Sequence, residues 1–363
     1  MKITLIAGAR PNFVKIAPII HAINEARNLG ANIEYRLVHT GQHFDEKMSE
    51  SFFRDLNIPQ PDINLECGGG TQAEQTAAIM CAFEKELENH RSKYVLVVGD
   101  VTSTMACSIV AKKLGVKVIH VEAGIRSFDI EMPEEINRIV TDSITDIFFT
   151  TSKLAGENLK KIGVDEDKIY FVGNVMIDTL NANIHRFKQP SFFDEFNLTS
   201  NKYLVLTLHR PSNVDETDKL KGLIETVIEN SQDDKVIFPI HPRTARVFMQ
   251  MQLNEDKLKI VDPLGYLEFN YLVKNARAVV TDSGGITEET TVMNIPCLTL
   301  RETTERPETI DVGTNELVGT NLNEIRKYLN KLYCSEWKEG RIPELWDGKS
   351  AKRIVDILLK VYG

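Results

Sequence analysis

The sequence predicts an α/β protein made of two doubly wound, parallel-sheet domains, and three observations lead there. Short apolar runs alternate with longer amphipathic stretches from one end of the chain to the other. The runs are continuous and β-branched, without polar alternation, as in strands buried on both faces, and strand–helix alternation then requires parallel pairing. The pattern pauses once and restarts, and a chain of 363 residues is too long for one comfortable core.

In the first half, strands are expected at 3–9, 35–40, 94–99, 116–122, 146–151 and 169–172, with helices at 12–28, 71–87, 103–114 and 134–142. Residues 181–202 are polar, contain Pro190 and carry no strand signal, which places a linker near 176–200. Strands resume at 203–208, 236–240, 259–261, 278–281, 297–300 and 316–318. The domains are therefore expected at 1–176 and 177–351. Gly68-Gly69-Gly70 follows a loop cysteine and reads as a turn.

The formal net charge of −9 argues against a general nucleic-acid or anionic-membrane partner, while leaving room for a small anionic ligand at a local cationic cluster. Five cysteines without a CxxC pair suit a reduced compartment and no structural zinc, and Cys81, Cys107 and Cys297 read as core residues. The N-terminal apolar run is short and reaches Arg10-Pro11 at once, so it reads as a buried strand rather than a leader. No window approaches the roughly 20 apolar residues of a membrane span. A soluble, cytoplasmic protein is expected.

Doubly wound domains bind ligands beyond the carboxyl ends of their strands. After the first strand comes Gly8-Ala9-Arg10-Pro11, a tight turn into a helix N-terminus with a full positive charge beside it, suited to a diphosphate. After a strand of the second half comes Asp282-Ser283-Gly284-Gly285, in which Ser283 would cap the helix while Gly284 and Gly285 let backbone N–H groups reach phosphate oxygens. Glu289, about two turns in, would accept from the two vicinal hydroxyls of a ribose. Asp100, Glu122 and Glu134 stand near strand ends, where a partly dry carboxyl is placed for proton transfer. His209, Arg210, His241, Arg243 and Arg306 add donors on loops of the second domain, and Gln42-His43 is a weaker candidate in the first. The histidines lack ligand spacing, so no metal is expected. Neither a G-x-G-x-x-G fingerprint nor a G-x-S-x-G elbow is present.

These blocks resemble a known family. GARPNFVK at 8–15, VGDVTST at 98–104, HVEAGIRS at 120–127, PEEINR at 133–138, LHR at 208–210, DSGGITEE at 282–289 and TTERPE at 303–308 are similar, in order, to the UDP-N-acetylglucosamine 2-epimerases of the non-hydrolysing bacterial type. The resemblance implies two Rossmann-like domains facing across a cleft, the glycosyltransferase-B architecture, with the final helix at 352–363 crossing back onto the first domain. It implies a UDP-sugar substrate, no cofactor and a homodimer. Arg10, Ser283, Gly284 and Arg306 would handle the diphosphate and Glu289 the ribose, with His209 near the phosphates. Lys15 would be a structural or phosphate-linked charge. Asp100, Glu122 and Glu134 would form the acid–base group, with the division of labour among them open. The reaction implied is inversion at the sugar C2: UDP leaves to give a 2-acetamidoglucal, then adds back after the proton returns on the other face. Gln42, Glu135, Arg210 and His241 match positions of a second UDP-sugar site. Asn12 stands where many members have Glu, and Pro211-Ser212 where many have Arg-Glu. Such departures leave room for a modified sugar, whose extra carboxylate Arg243 would meet.

Overall fold

The structure, a computed structural model, describes residues 1–42, 53–251, 253 and 256–363, and of Pro242 and Arg243 the backbone only. It divides into two compact units, Met1–Ala182 with Glu344–Gly363, and Asn183–Pro343.

The first unit contains β1 (Lys2–Ala7), β2 (Glu34–His39), β3 (Ile63–Asn64), β4 (Tyr94–Val98), β5 (Lys117–Val121), β6 (Ile147–Thr150) and β7 (Ile169–Phe171). They form a seven-stranded sheet of order β3-β2-β1-β4-β5-β6-β7, paired in parallel throughout. Every residue of β4 is buried, as a strand covered by helices on both faces requires. Strand order reverses between β1 and β4, so the loops leaving these two strands flank the switch point where doubly wound sheets bind ligands. Two-residue β3 went unforeseen because it is too short to show a period; Asp62 anchors it by accepting from the Leu37 N–H at 2.7 Å.

The second unit repeats the plan with β8 (Tyr203–Thr207), β9 (Lys235–Pro239), β10 (Leu258–Val261), β11 (Ala278–Thr281), β12 (Cys297–Thr299) and β13 (Asn315–Leu317). Its order is β10-β9-β8-β11-β12-β13, again all parallel, with the switch point between β8 and β11.

The chain leaves the first unit at Ala182, within helix Val175–Asn183, rather than at the expected 176. Ile177 and Leu180 are buried, and Thr179 donates to the Val14 carbonyl at 2.6 Å, so this helix belongs to the first core. The chain returns at Glu344, not at 352, because buried Trp346 donates to the Thr151 carbonyl at 3.1 Å. The last helix, Ser350–Tyr362, buries Ala351, Ile354, Val355 and Leu358. Its first N–H groups, Ser350 and Ala351, donate to the Asp178 carboxylate at 3.1 and 2.7 Å. Burial still pushes that carboxyl up to about 6.

Cys81 is exposed, contrary to the core role expected of it. Helix Gln72–Asn89 buries Ile79, Phe83 and Leu87, and Cys81, two positions from Ile79, lies on the opposite side of a 3.6-residue turn. Cys107 and Cys297 are buried, as is Cys67. Among the described residues no helix is long and apolar enough to cross a membrane.

Candidate active site

In the first unit, β1 ends at Ala7 and, after Gly8 and Ala9, the helix Arg10–Asn28 begins, with Pro11 in its first turn. The turn is held by Asn12. Its Oδ1 accepts from the Gly8 and Ala9 N–H groups at 3.1 and 3.0 Å, and its Nδ2 donates to the Val98 carbonyl at 3.0 Å. Asn12 therefore fastens the turn to the end of β4, across the switch point. An added Cβ at Gly8 would lie 2.1 Å from the Ser103 hydroxyl oxygen, which is why glycine is needed there. Arg10 is half-buried on the first turn of the helix.

The three acids divide by environment. Glu122, just past β5, is buried and adopts φ +70°, a conformation rare outside glycine. Lys15 donates to its Oε2 at 2.6 Å, so the Lys15 charge serves a carboxylate. Gly99, at φ +65°, admits this pair: a Cβ there would sit 3.0 Å from Lys15 Nζ and 3.7 Å from Glu122 Oε2. Asp100 is half-buried; its Oδ2 accepts from Arg138 Nε and Nη2 at 3.0 and 2.6 Å, and its carbonyl from Asn137 Nδ2 at 2.8 Å. Glu134 is half-buried in the first turn of helix Pro133–Ile144.

That helix organises the site. Glu135, Arg138 and Asp142, spaced three and four residues apart, share one face and are all buried. Glu135 accepts from the Ser127 and Phe128 N–H groups at 3.0 and 3.2 Å and from Arg138 at 2.5 Å. Glu135 thus braces the loop after β5. Asp142 accepts from His120 Nδ1 at 2.7 Å, from Arg126 at 2.6 Å and from the Gly124 N–H at 3.1 Å. Burial pushes its carboxyl up, but the hydrogen bond and charge of His120, with those of Arg126, outweigh burial and leave it below its ordinary value. Gln42 is buried, its side-chain oxygen accepting from the Ser103 N–H and hydroxyl at 3.1 and 2.8 Å. His43 lies outside the described residues.

In the second unit Asp282, immediately after β11, is the hub. Fully buried, it accepts from the backbone N–H of His209 at 3.1 Å and of Arg210 at 3.0 Å, from Asn213 Nδ2 at 3.2 Å, and pairs with His209 Nδ1 at 2.9 Å. Burial raises its carboxyl, yet the hydrogen bond and charge of His209 and these backbone donors bring it below its ordinary value. The ring of His209 remains exposed while Asp282 orients it. Arg210 donates through Nε to the Asp282 carbonyl at 3.0 Å. The loops after β8 and β11 are thereby locked together at the switch point.

Ser283 stands at the N-cap of helix Gly284–Met293, but its side chain makes no capping bond, which corrects the expected role. The Ser283 N–H turns back to Thr281 Oγ1 at 3.0 Å, and the N–H groups of Gly284 and Gly285 form a half-buried helix N-terminus with no side-chain cap. Such an end attracts anions. Glu289 is buried further along, accepting at one oxygen, Oε1, from Tyr266 OH at 3.0 Å and Asn270 Nδ2 at 3.4 Å. Burial dominates and pushes its carboxyl up to about 7. Arg306, buried at the start of helix Pro307–Asp311, donates through Nε to Glu288 Oε1, and Arg301 donates to Glu305 at 2.6 Å. The His241 ring lies 6.2 Å from that of His209, centroid to centroid, and the Arg243 side chain is outside what is described.

Sequence reasoning thus found the residues at strand ends and missed their partners. Asn12, His120, Arg126 and Arg138 lie inside the motifs quoted above and Asp142, Tyr266 and Asn270 outside them. For none does the sequence name the distant group it meets: Val98 for Asn12, Asp142 for His120 and Arg126, Asp100 for Arg138, Glu289 for Tyr266 and Asn270. Asp282 stood inside a quoted motif, and its position directly after an apolar run was the available sign.

Two doubly wound domains, each with charged and glycine-rich loops at its switch point, define a Rossmann-like protein built for nucleotide-bearing ligands. The profile of the family described as UDP-N-acetylglucosamine 2-epimerase matches residues 25–359, and the chain belongs to that family. It is 41% identical to the UDP-N-acetylglucosamine 2-epimerase of Methanocaldococcus jannaschii, covering 99% of both chains. It is 40% identical to the UDP-2,3-diacetamido-2,3-dideoxy-D-glucuronate 2-epimerase of Pseudomonas aeruginosa, covering 88% of each. The crystal structure of the Methanocaldococcus enzyme in complex with UDP-GlcNAc and UDP matches with a TM-score of 0.89 over the whole of both chains.

Proposed function

We propose that this protein interconverts UDP-GlcNAc and UDP-ManNAc without hydrolysis, as a cytoplasmic homodimer. The observation that carries the reading is the acid cluster of the first unit, since binding alone has no use for Asp100 and buried Glu122, each with its own cation. The C2 proton has no adjacent carbonyl to acidify it, so departure of UDP must supply much of the driving force. The C1–O bond breaks with its electrons leaving on UDP, the C2 proton goes to a carboxylate, and the glucal double bond forms. UDP then adds back as a proton returns to the opposite face. Preorganised cations and N–H dipoles lower such barriers by several kcal/mol. Arg10, Ser283, Gly284, Gly285 and Arg306 suit the diphosphate, Glu289 the ribose, and His209 the departing charge. Gln42, Glu135, Arg210 and His241 are proposed for a second UDP-sugar. For Gln42 and Glu135 that role would have to coexist with the backbone groups they already hold. Dimerisation is supported by Phe128, Ile130, Ile139 and Ile162, all exposed on the first unit around a hollow of about 650 Å³; sedimentation of the purified protein would reveal it.

The test is proton NMR with UDP-GlcNAc in D2O. UDP-ManNAc carrying deuterium at C2 is expected. Free ManNAc with UDP would show a hydrolysing enzyme, and bound but unchanged substrate a sensor. The Pseudomonas relative favours a second reading, a diacetamido uronic acid as the sugar. Turnover of that UDP-sugar alone, abolished by Arg243→Ala, would select it.

A further inference from the structure

His120 has no role in the chemistry proposed above. It is fully buried near the end of β5, and its ring joins two elements of the first unit. Nε2 lies 2.9 Å from the Gly99 carbonyl oxygen and Nδ1 lies 2.7 Å from Asp142 Oδ1. A carbonyl oxygen only accepts, so Nε2 carries a proton. Asp142 also accepts from Arg126 and from the Gly124 N–H, the pattern of an ionised carboxylate, so Nδ1 carries a proton as well. Both nitrogens donate. The ring is faced by Asp142 from helix Pro133–Ile144 and set beside Arg126, with Glu122 and Lys15 beyond the end of its own strand.

We propose that His120 is a positioning residue for the acid–base cluster. Doubly protonated, it ties the Gly99 carbonyl to the helix that carries Glu134 and so fixes the turn bearing Asp100 beside the strand end bearing Glu122. Gly99 sits at φ +65° against the Lys15 ammonium, and its own N–H donates to the Val121 carbonyl at 3.0 Å. Glycine lets the Gly99–Asp100 peptide rotate cheaply. A hydrogen bond from a buried cation, stronger than a neutral one, stops that rotation. A neutral imidazole carries one ring proton and keeps only one of the two bonds.

The inference rests on the acid–base reading, and its first measurement is independent of turnover. In enzyme labelled with 15N-histidine, the His120 signals are identified by their loss in His120→Gln. Both ring nitrogens should carry protons in the folded enzyme, as the two acceptors they face require; an unprotonated ring nitrogen overturns the proposal. For turnover, His120→Gln and Asp142→Asn should each lower kcat by about 10- to 100-fold, the cost of a small misplacement, with KM and UDP affinity kept within about twofold. Unchanged kcat, or KM moving in proportion, overturns it. Should His120→Gln fail to fold, His120→Asn and the wild-type spectrum decide. A wild-type enzyme that turns over no UDP-sugar refutes the acid–base reading and the positioning role with it, while the ring state is still read directly.

Discussion

Burial holds the Glu289 carboxyl near neutrality, with an ordinary value of 4.5 raised to about 7. Below pH 4.5 both folded and unfolded chains carry the proton, and burial costs nothing. As pH rises toward 7 the unfolded chain ionises while the folded one cannot do so freely, so stability falls across this window by up to about 3 kcal/mol and then levels off. Glu289→Gln should remove that dependence, and thermal unfolding between pH 4.5 and 8 will show it as a gap that widens with pH. A carboxylate accepting two ribose hydroxyls must be ionised, so UDP affinity of the wild type should rise through pH 7 and that of the variant stay flat. Calorimetric titration tests this, and a flat wild-type profile would remove Glu289 from the ribose. At the other site, Lys15→Met leaves Glu122 buried without its cation, with an expected loss of about 3 kcal/mol in urea unfolding. Glu122→Gln breaks the same buried pair from the other side, so it should cost a comparable amount of stability and in addition lose about 100-fold or more in kcat.

At the scale of elements, helix Pro133–Ile144 and the C-terminal helix carry the clearest expectations. Arg138 bridges Asp100 and Glu135, one residue of the acid group and one that braces a loop. Arg138→Leu should therefore abolish turnover and also destabilise the first unit, an outcome that a purely structural or purely catalytic arginine would not give. The C-terminal helix Ser350–Tyr362 has no cap within its own sequence; Asp178 supplies one from helix Val175–Asn183. Asp178→Ala should cost about 1–2 kcal/mol. Urea unfolding measures the loss, and hydrogen exchange should place it in residues 350–353.

For the molecule as a whole, UDP is expected to protect the second unit more than the first. At about 100 times its Kd it should add roughly 2.7 kcal/mol to stability. Hydrogen-exchange protection should concentrate at Ser283–Gly285 and in the loop after β8. Protection confined to the first unit would reverse the assignment of the nucleotide.

The sequence by itself determined the two parallel sheets, their strands within a residue or two at most ends, and the strand-end location of Asp100, Glu122, His209 and Asp282. It could do so because buried strands are written as unbroken apolar runs and the doubly wound plan puts function directly after them. Only the tertiary structure decided which groups those residues meet. That Lys15 serves Glu122, that Arg138 holds Asp100, and that Tyr266 and Asn270 share one oxygen of Glu289 follow from contacts spanning between 19 and 107 positions. No periodicity records a partner at such a distance. Ser283 and Cys81 depart from expectation for a different, local reason: residue type sets what a side chain can bond, while the local backbone and the helix face set what it meets.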